Sequence, residues 1–246
     1  MRALTRCLPA VLAVALFGSA SGRLNAAEVG TDNASVPAYA NGWSSDSDGT
    51  AAGNGFGPWR LFVQPDGTQG AKFAVENSTT LSNPGADINS DGKAFSLSAK
   101  RSGATTMEAA AFRDFQGGPL SVGQTFTIDL AVNFRNGFKG IDVRSGSEEA
   151  QNRANLFTLN VGGDDYVVSN ALTGNGSIGN EYNSKTKIRV EFSQTTTSGG
   201  TWRVTRGEKS TTGTYSGQAT GIKLYCSGTD GNAEDKLFFN NLSIAE

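Results

Sequence analysis

The stretch at residues 53–63, GNGFGPWRLFV, indicates how this chain folds. A glycine-rich turn leads through Phe56 and Trp59 directly into a β-type run of apolar residues. The rest of the chain repeats this pattern, with short Val, Ile, Phe, Leu and Thr runs that are broken by Gly, Asn, Asp and Ser. A last run of this kind, KLFFNNLSI at residues 236–244, closes the chain. The sequence therefore predicts an all-β protein.

About a dozen segments carry the strand pattern. After the opening run they lie at residues 71–75, 94–99, 109–115, 125–134, 139–144, 155–161, 166–170, 187–193, 201–206, 220–226 and 236–244. No helical pattern separates these segments, and no repeat of fixed period is present. We therefore predict a single two-sheet antiparallel β-sandwich, a jelly roll, with an open solenoid as the alternative.

Length and composition fit one domain of this kind. The chain has 246 residues, of which 32 are glycine, and only 18% of its residues are charged. We expect a leader at residues 1–27 and one sandwich domain at residues 28–246, in which Tyr39 and Trp43 hold down a polar, loop-like arm at residues 29–55. The net charge is −2 and no basic tract is present, so nucleic acid is not expected as a partner.

The N-terminus has the features of a secretory signal peptide. Arg2 and Arg6 precede an apolar core at residues 8–17, and residues 18–20 (GSA) offer a cleavage site. The apolar core is about half the ~20 residues that a membrane-spanning helix needs. We therefore expect a protein without a membrane span that is secreted to the extracellular space or the periplasm. Cys226, the one cysteine outside the leader, is expected to be buried in a strand.

The sequence contains no histidine, and this excludes several classes of enzyme. Ser-His-Asp and Cys-His nucleophilic sites, histidine-ligated metal sites and histidine acid–base catalysis are all impossible. Glycoside hydrolysis by two carboxylates stays open, but no predicted strand carries a Glu-x-Asp or Glu-x-Glu pair on one face. A lyase with Tyr as the base and Arg or Lys beside a uronate also stays open. The residues favour a non-catalytic protein over an enzyme.

One loop has the spacing of a calcium site. Asp87, Asn89 and Asp91 place oxygen atoms at positions 1, 3 and 5, and Gly92 at position 6 permits a sharp bend. The bidentate glutamate of a helix–loop–helix calcium site is replaced by Ser98. Two interpretations stay open, a structural calcium site and a plain Asn/Asp/Gly turn between strands.

Several motifs resemble one known family. They are NGW at residues 41–43, GNGFGPW at 53–59, DGKAF at 91–95, LSVGQTF at 120–126 and LFFNNLSI at 237–244. Together they resemble secreted bacterial β-sandwich domains that are similar to concanavalin-A-like and carbohydrate-binding jelly rolls. In several carbohydrate-binding modules an aspartate at the position of Asn240 helps to hold a structural calcium against the N-terminal arm. The resemblance therefore implies Asn240 and Asp32 as further candidate calcium ligands.

Glycan binding requires aromatic rings that stack on sugar rings and polar side chains that bond to hydroxyl groups. The candidate ligand-binding residues are Trp202, Trp43, Tyr182 and Tyr166, although the tryptophans also fit a buried core. Three functions stay open: a carbohydrate-binding or cell-surface-associated module whose partner is a polysaccharide, a structural matrix or envelope protein that self-associates through strand edges, and a polysaccharide-cleaving enzyme. We favour the first.

Overall fold

The computed structural model describes residues 27–44, 55–64, 70–80, 86–100, 107–132, 134–146, 154–163, 166–170, 174–179, 185–230 and 235–246. These residues form fifteen strands and one short 3₁₀ helix, Pro37–Tyr39. The strands are β1 Glu28–Asp32, β2 Phe56–Gln64, β3 Ala71–Glu76, β4 Ala94–Ala99, β5 Glu108–Phe115, β6 Thr125–Val132, β7 Phe138–Ser145, β8 Ala154–Asn160, β9 Val167–Asn170, β10 Gly174–Ser177, β11 Ile188–Thr196, β12 Gly199–Arg206, β13 Lys209–Ser216, β14 Gly221–Ser227 and β15 Leu237–Ala245.

Two antiparallel sheets form the two layers of the fold. Sheet A has the strand order β13-β12-β11-β6-β15-β4-β3, and β1 pairs with the end of β15. Sheet B has the order β10-β9-β8-β7-β14-β5-β2. The predicted two-sheet antiparallel β-sandwich is therefore confirmed.

The core lies between the inner faces of the sheets. On β6 in sheet A, every second residue over 126–132 is buried in the core, and on β14 in sheet B the same holds for Ile222 and Leu224. Since successive side chains of a strand point to opposite faces, Lys223 and Tyr225 of β14 lie on the outer face of sheet B. The alternation that places apolar side chains in the core thus also determines which side chains lie on the outer face of each sheet.

Three strands fall outside the segments that the sequence predicts, namely β1, β10 and β13. The sequence of β13, KSTTGTYS, has Tyr215 as its one buried residue, so it lacks the apolar alternation of a half-buried strand. β1 and β10 are short and contain glycine. Backbone hydrogen bonds to a neighbouring strand hold all three strands in place, and such pairing cannot be predicted from composition alone.

The N-terminal arm is more regular than the sequence predicts. β1 pairs with β15, and Tyr39 and Trp43 are buried with exposed fractions of 2% and 6%. The ring of Trp43 lies 5.3 Å from that of Trp59 and 5.5 Å from that of Phe239, between centroids. The prediction that these two aromatic residues hold the arm on the domain is confirmed.

The predicted leader at residues 1–27 lies outside the described residues except for Ala27. Within the part of the chain that the structure describes, no helix is long and apolar enough to cross a membrane. Cys226 is buried in β14, as the sequence predicts.

Candidate functional site

The aromatic residues that the sequence suggests for glycan binding lie in the core. Trp43, Tyr166 and Trp202 have exposed fractions of 6%, 0% and 4%. Trp202 packs against Phe157 of the opposite sheet, with the ring centroids 5.3 Å apart. Protein groups therefore pack against the rings of Trp43 and Tyr166, which corrects the expectation for these two residues. Trp202 also lines a cleft on sheet A, and its role in ligand binding stays a prediction. Tyr182 lies outside the described residues.

The loop with calcium-like spacing closes on itself. Asp87 Oδ1 accepts hydrogen bonds from the backbone and side-chain nitrogen atoms of Asn89, at 3.1 and 2.8 Å. Asp91 and Gly92, with φ of 49° and 74°, form a tight turn whose flanking residues exchange two backbone hydrogen bonds. Among the described residues, no group of three or more His, Cys, Asp or Glu is placed to hold a metal ion. This geometry matches the turn interpretation, and calcium at this loop stays a prediction.

Asn240 is fully buried and uses both ends of its amide. Its Oδ1 accepts a hydrogen bond from the backbone nitrogen of Ala34 at 2.9 Å, and its Nδ2 donates to the carbonyl oxygens of Ile88 and Lys93, each at 2.9 Å. The amide NH₂ group thus donates to the two carbonyl oxygens that a cation at this position would need as ligands. This arrangement does not fit calcium at Asn240.

Asp32 is paired with a cation rather than directed at Asn240. Arg113 Nη1 bonds to Asp32 Oδ2, and both side chains are fully buried. Tyr39 donates its hydroxyl hydrogen to the same oxygen at 2.6 Å, and Trp59 Nε1 donates to the Tyr39 oxygen at 2.9 Å. Burial raises the pKa of the Asp32 carboxyl, and the Arg113 cation counteracts part of that rise. These four side chains connect the arm to β2 and β5 and have a structural role.

The outer face of sheet B carries a group of charged and aromatic side chains that sequence patterns did not single out. On this face Lys223 is opposite Phe112 on one side and Asp142 on the other, and Asp142 is opposite Thr158. We call this surface the charged face. Its residues are Arg60, Glu108, Phe112, Asp114, Phe138, Asp142, Arg144, Thr158, Asn160, Lys223 and Tyr225.

Ion pairs organise the charged face. Lys223 Nζ lies 2.6 Å from Glu108 Oε1, and Arg60 Nη2 lies 2.8 Å from Asp114 Oδ2. On β7, the next strand beyond Lys223, the residue Asp142 is only 7% exposed. These side chains, drawn from four strands, cover the apolar floor of the face and leave a surface of closely spaced hydrogen-bond donors and acceptors.

Burial also changes the chemistry of Asp142. Burial raises the pKa of its carboxyl, while the hydrogen bond from Thr158 Oγ1 at 2.7 Å and the nearby cations Lys223 and Arg144 lower it by less. The carboxyl is therefore the acid on this face whose protonation is shifted towards neutral pH. Its hydrogen-bonding character changes with its protonation.

Tyr225 lies across a neighbouring strand. Its partner on β7 is Gly140, and the partner of Gly140 on β8 is Asn160. The Tyr225 hydroxyl donates to Asn160 Oδ1 at 3.4 Å, so the phenol ring spans β7 at Gly140. A Cβ at Gly140 would come within 1.8 Å of the carbonyl oxygen of Leu159, and only glycine fits there. The glycine in KGIDV thus leaves no side chain on β7 between Tyr225 and Asn160.

Two further properties define the role of the aromatic residues. Burial raises the pKa of the Tyr225 phenol, and Asp142 and Glu108 raise it further, so this group is a neutral hydrogen-bonding ring and is poorly suited to act as a base. Phe138 lies two residues before Gly140 on β7, about 7 Å along the strand, and is 61% exposed. The face therefore combines one partly covered ring, Tyr225, with a second ring, Phe138, that is open to solvent.

A cleft of about 740 Å³ adjoins the charged face. Asp114 belongs to both, and the cleft is otherwise formed by the loops after β5, β7 and β13, with Ser145, Gln218 and Thr220 as polar groups. Four glycines complete the lining: Gly117, Gly118, Gly146 and Gly217. The volume lies in the range of small-molecule sites, and the cleft lengthens the surface on which an extended ligand could lie.

The open part of the outer face of sheet A is different in character. Short hydroxyl side chains dominate it, and Thr125 Oγ1 and Ser193 Oγ are 2.8 Å apart. Arg203 and Glu191 form a pair at 3.8 Å in which the Arg203 side chain is 55% exposed. We call this surface, with its cleft of about 590 Å³, the hydroxyl face. Its residues are Thr125, Thr127, Glu191, Ser193, Thr201, Arg203, Thr212 and Thr214.

No family model and no curated protein matches the chain. Among solved structures, it is similar to "Cellulose induced protein, Cip1" at 11% identity and a TM-score of 0.49, over 87% of this chain and 96% of that one. It is similar to a cleaved adhesin domain of Lys-gingipain from Porphyromonas gingivalis at 11% identity and a TM-score of 0.39, over 89% and 99% of the two chains. An alginate lyase, AlgAT5, is similar at 14% identity and a TM-score of 0.37, over 65% and 80%. Likeness at this level says nothing about a shared ligand.

Proposed function

We propose that this chain is an exported, non-catalytic carbohydrate-binding module that holds a polysaccharide across the charged face. The observation that carries the proposal is the combination of two aromatic side chains on that face: Tyr225, which reaches across Gly140 of β7, and Phe138, which is exposed on the same strand as Gly140. A sugar ring presents C–H groups that pack on such ring faces. Phe138 lies about 7 Å from Gly140 along β7, so both aromatic side chains are within reach of one extended chain.

The polar groups around these rings match the hydroxyl groups of a sugar. Asp142 and Thr158 supply acceptors and Lys223 supplies a donor in the row beside Tyr225, and Asn160 supplies an acceptor in the row of Tyr225 itself. Asp142 and Lys223 are held by Thr158 and Glu108 respectively, so their positions are fixed before a ligand arrives. Preorganised polar groups lose less entropy on binding, which favours recognition.

The chemistry of the face supports binding better than cleavage. The pKa of the Tyr225 phenol is raised, which weakens it as a base, and the carboxylates Glu108 and Asp114 are engaged by cations. The leader at residues 1–27 supports export, which would bring the protein to polysaccharides outside the cell.

The exposed ring of Phe138 gives a direct test. Because its side chain is 61% exposed, Phe138→Ala should leave the melting temperature almost unchanged. The affinity for a polysaccharide that binds, measured by affinity electrophoresis against glucans, xylans, mannans and galactans, should fall about 3- to 10-fold. Val122→Ala is the matched control, since Val122 is 54% exposed in the turn before β6 and lies off the charged face. Equal affinities for wild type and Phe138→Ala would count against the proposal.

A second candidate function, self-association, rests on β13. Among the described strands it pairs only with β12, so one edge of its backbone is open, and Lys209 is its one charged residue. An edge of this length with little charge is a template for pairing with a second chain. Sedimentation velocity at rising concentration should then show dimers that Thr212→Lys reduces. A monomer at all concentrations would remove this candidate.

A further inference from the structure

We infer that the charged face selects an uncharged polysaccharide and rejects polymers of uronic acids or sulfated sugars. The inference rests on the proposed function, because it names the class of ligand that the same face would take. It follows from how the charges on the face are paired, and it separates two classes of glycan that aromatic stacking alone does not distinguish.

Each cation on the described part of the face has a carboxylate beside it. Lys223 is 2.6 Å from Glu108, and Arg60 is 2.8 Å from Asp114. Arg144 lies two residues after Asp142 on the same face of β7, and it lowers the pKa of the Asp142 carboxyl. An acidic sugar would have to compete with these carboxylates for every cation, and each competition would leave a protein carboxylate without its partner.

Asp142 adds a repulsive element at the centre of the face. It lies in the row between Lys223 and Thr158, and Tyr225 lies across the next row. A ligand stacked on Tyr225 therefore has the Asp142 carboxylate close to its edge. Above the raised pKa of Asp142, an ionised ligand carboxylate or sulfate there would meet a like charge in a partly desolvated site, which is costly, whereas a sugar hydroxyl can donate a hydrogen bond to the same oxygen.

The geometry also predicts a specificity change. Glu108→Gln keeps the size and hydrogen-bonding capacity of the side chain but removes the charge that neutralises Lys223. The freed ammonium group, whose side chain is 21% exposed, becomes available to an acidic sugar. Glu191→Gln on the hydroxyl face is the matched control, because it removes the carboxylate partner of Arg203 on the other side of the molecule.

The experiment measures affinity of the full mature chain for two panels. The uncharged panel is mixed-linkage glucan, xylan, mannan and galactan, and the acidic panel is alginate, polygalacturonate and chondroitin sulfate. We expect at least one uncharged polymer to bind at least about 10-fold more tightly than every acidic one, with less than about a twofold change between low and high salt. Glu108→Gln should improve binding to the acidic panel about 3-fold or more, and Glu191→Gln should leave it unchanged.

The outcomes separate the inference from the proposal beneath it. Tighter binding of an acidic polymer to wild type, lost at high salt, would overturn the inference and leave polysaccharide binding intact. Unchanged acidic binding by Glu108→Gln, in a variant with wild-type melting temperature, would also overturn it. Failure of both panels to bind wild type would overturn the proposed function and the inference with it.

Discussion

The two sheets of this sandwich treat their outer faces in opposite ways. On sheet A, the apolar part around Phe238, Ala94 and Ala131 is covered by Ala86 and Ile88 of the chain's own loop. On the described part of sheet B, long charged side chains such as Lys223 lie over the apolar part formed by Phe62, Ala110 and Phe112. A loop is a permanent cover, whereas flexible side chains can make room for a ligand. The difference fits the proposal that sheet B binds its ligand on its outer face, whereas part of the outer face of sheet A is covered and adds to stability.

The cover on sheet A depends on Asn240, and its replacement should have the largest effect. Asn240→Asp would place a carboxylate oxygen against the carbonyl oxygens of Ile88 and Lys93, at an expected cost of about 3 kcal/mol in the free energy of unfolding. Calcium should restore part of this loss in the variant, since the aspartate and the two carbonyl groups could then share the cation. Thermal unfolding with calcium and with a chelator measures both effects.

Asn41→Asp is the control for this substitution, because Asn41 is exposed in the arm. A variant Asn240→Asp that is as stable as wild type in chelator would contradict the assigned role of the amide. A rise in the melting temperature of wild type on adding calcium would instead support the calcium prediction for the loop at Asp87.

The next effect concerns sheet B alone. Tyr225→Ala removes the ring that spans Gly140, and we expect the affinity for a bound polysaccharide to fall by about 2 kcal/mol, or roughly 30-fold. Thr201→Ala on the hydroxyl face should change the affinity by less than about twofold. Titration calorimetry with both variants decides which sheet binds, and a larger loss for Thr201→Ala would reverse the assignment.

Ion pairs on the two faces should differ in their contribution to stability. Lys223 is 21% exposed and paired with Glu108, whereas Arg203 is 55% exposed and paired with Glu191. Lys223→Met should therefore cost about 1 kcal/mol in the free energy of unfolding, and Arg203→Met less than about 0.5 kcal/mol. Urea unfolding at neutral pH measures the two values. Equal costs would mean that the charged face is no better organised than an ordinary surface.

The smallest expected effect is a dependence on pH. Because folding raises the pKa of the Asp142 carboxyl above 3.8, the folded state holds a proton that the unfolded state has lost at pH values between 3.8 and the folded pKa. Stability from this group is therefore present in acid and lost as the pH rises through the folded pKa. Asp142→Asn should be less sensitive than wild type to a rise from about pH 4 to about pH 7. Parallel pH profiles of unfolding free energy for both proteins would contradict this.

Much of the fold could be predicted from the sequence, because alternation of apolar residues is a local signal. The run GIKLYCS shows it: Ile222, Leu224 and Cys226 alternate with Lys223 and Tyr225, and the first three are buried. The Thr- and Ser-rich β13 gave no such signal, since its place is set by pairing with β12. The sequence left Trp202 open between the core and a ligand site. Val204, two residues later on the same face of β12, is buried, and Trp202 lies in the core with it.

The candidate site could not be predicted, because it is assembled by register between distant strands. Lys223 and Tyr225 on β14 meet Asp142 on β7, about 80 positions earlier in the chain, and Asn160 on β8. The outward positions of each strand were readable one strand at a time. Which outward residues become neighbours depends on the strand order and the register, and neither can be predicted from the sequence of a single strand. Gly140 in KGIDV is the one local hint, because a glycine inside a strand often marks the close approach of another group.

The most direct test of the central claim is an amide NMR map of the bound glycan. Backbone amide shifts of the ¹⁵N-labelled protein would be recorded while an uncharged oligosaccharide of the polymer that binds is added. If the glycan binds on the charged face, we expect the largest shift changes at Gly140, Asp142 and Tyr225 on sheet B, and little change at Glu191 and Thr201 on sheet A. Changes centred on Glu191 and Thr201, with none at Gly140, would contradict it.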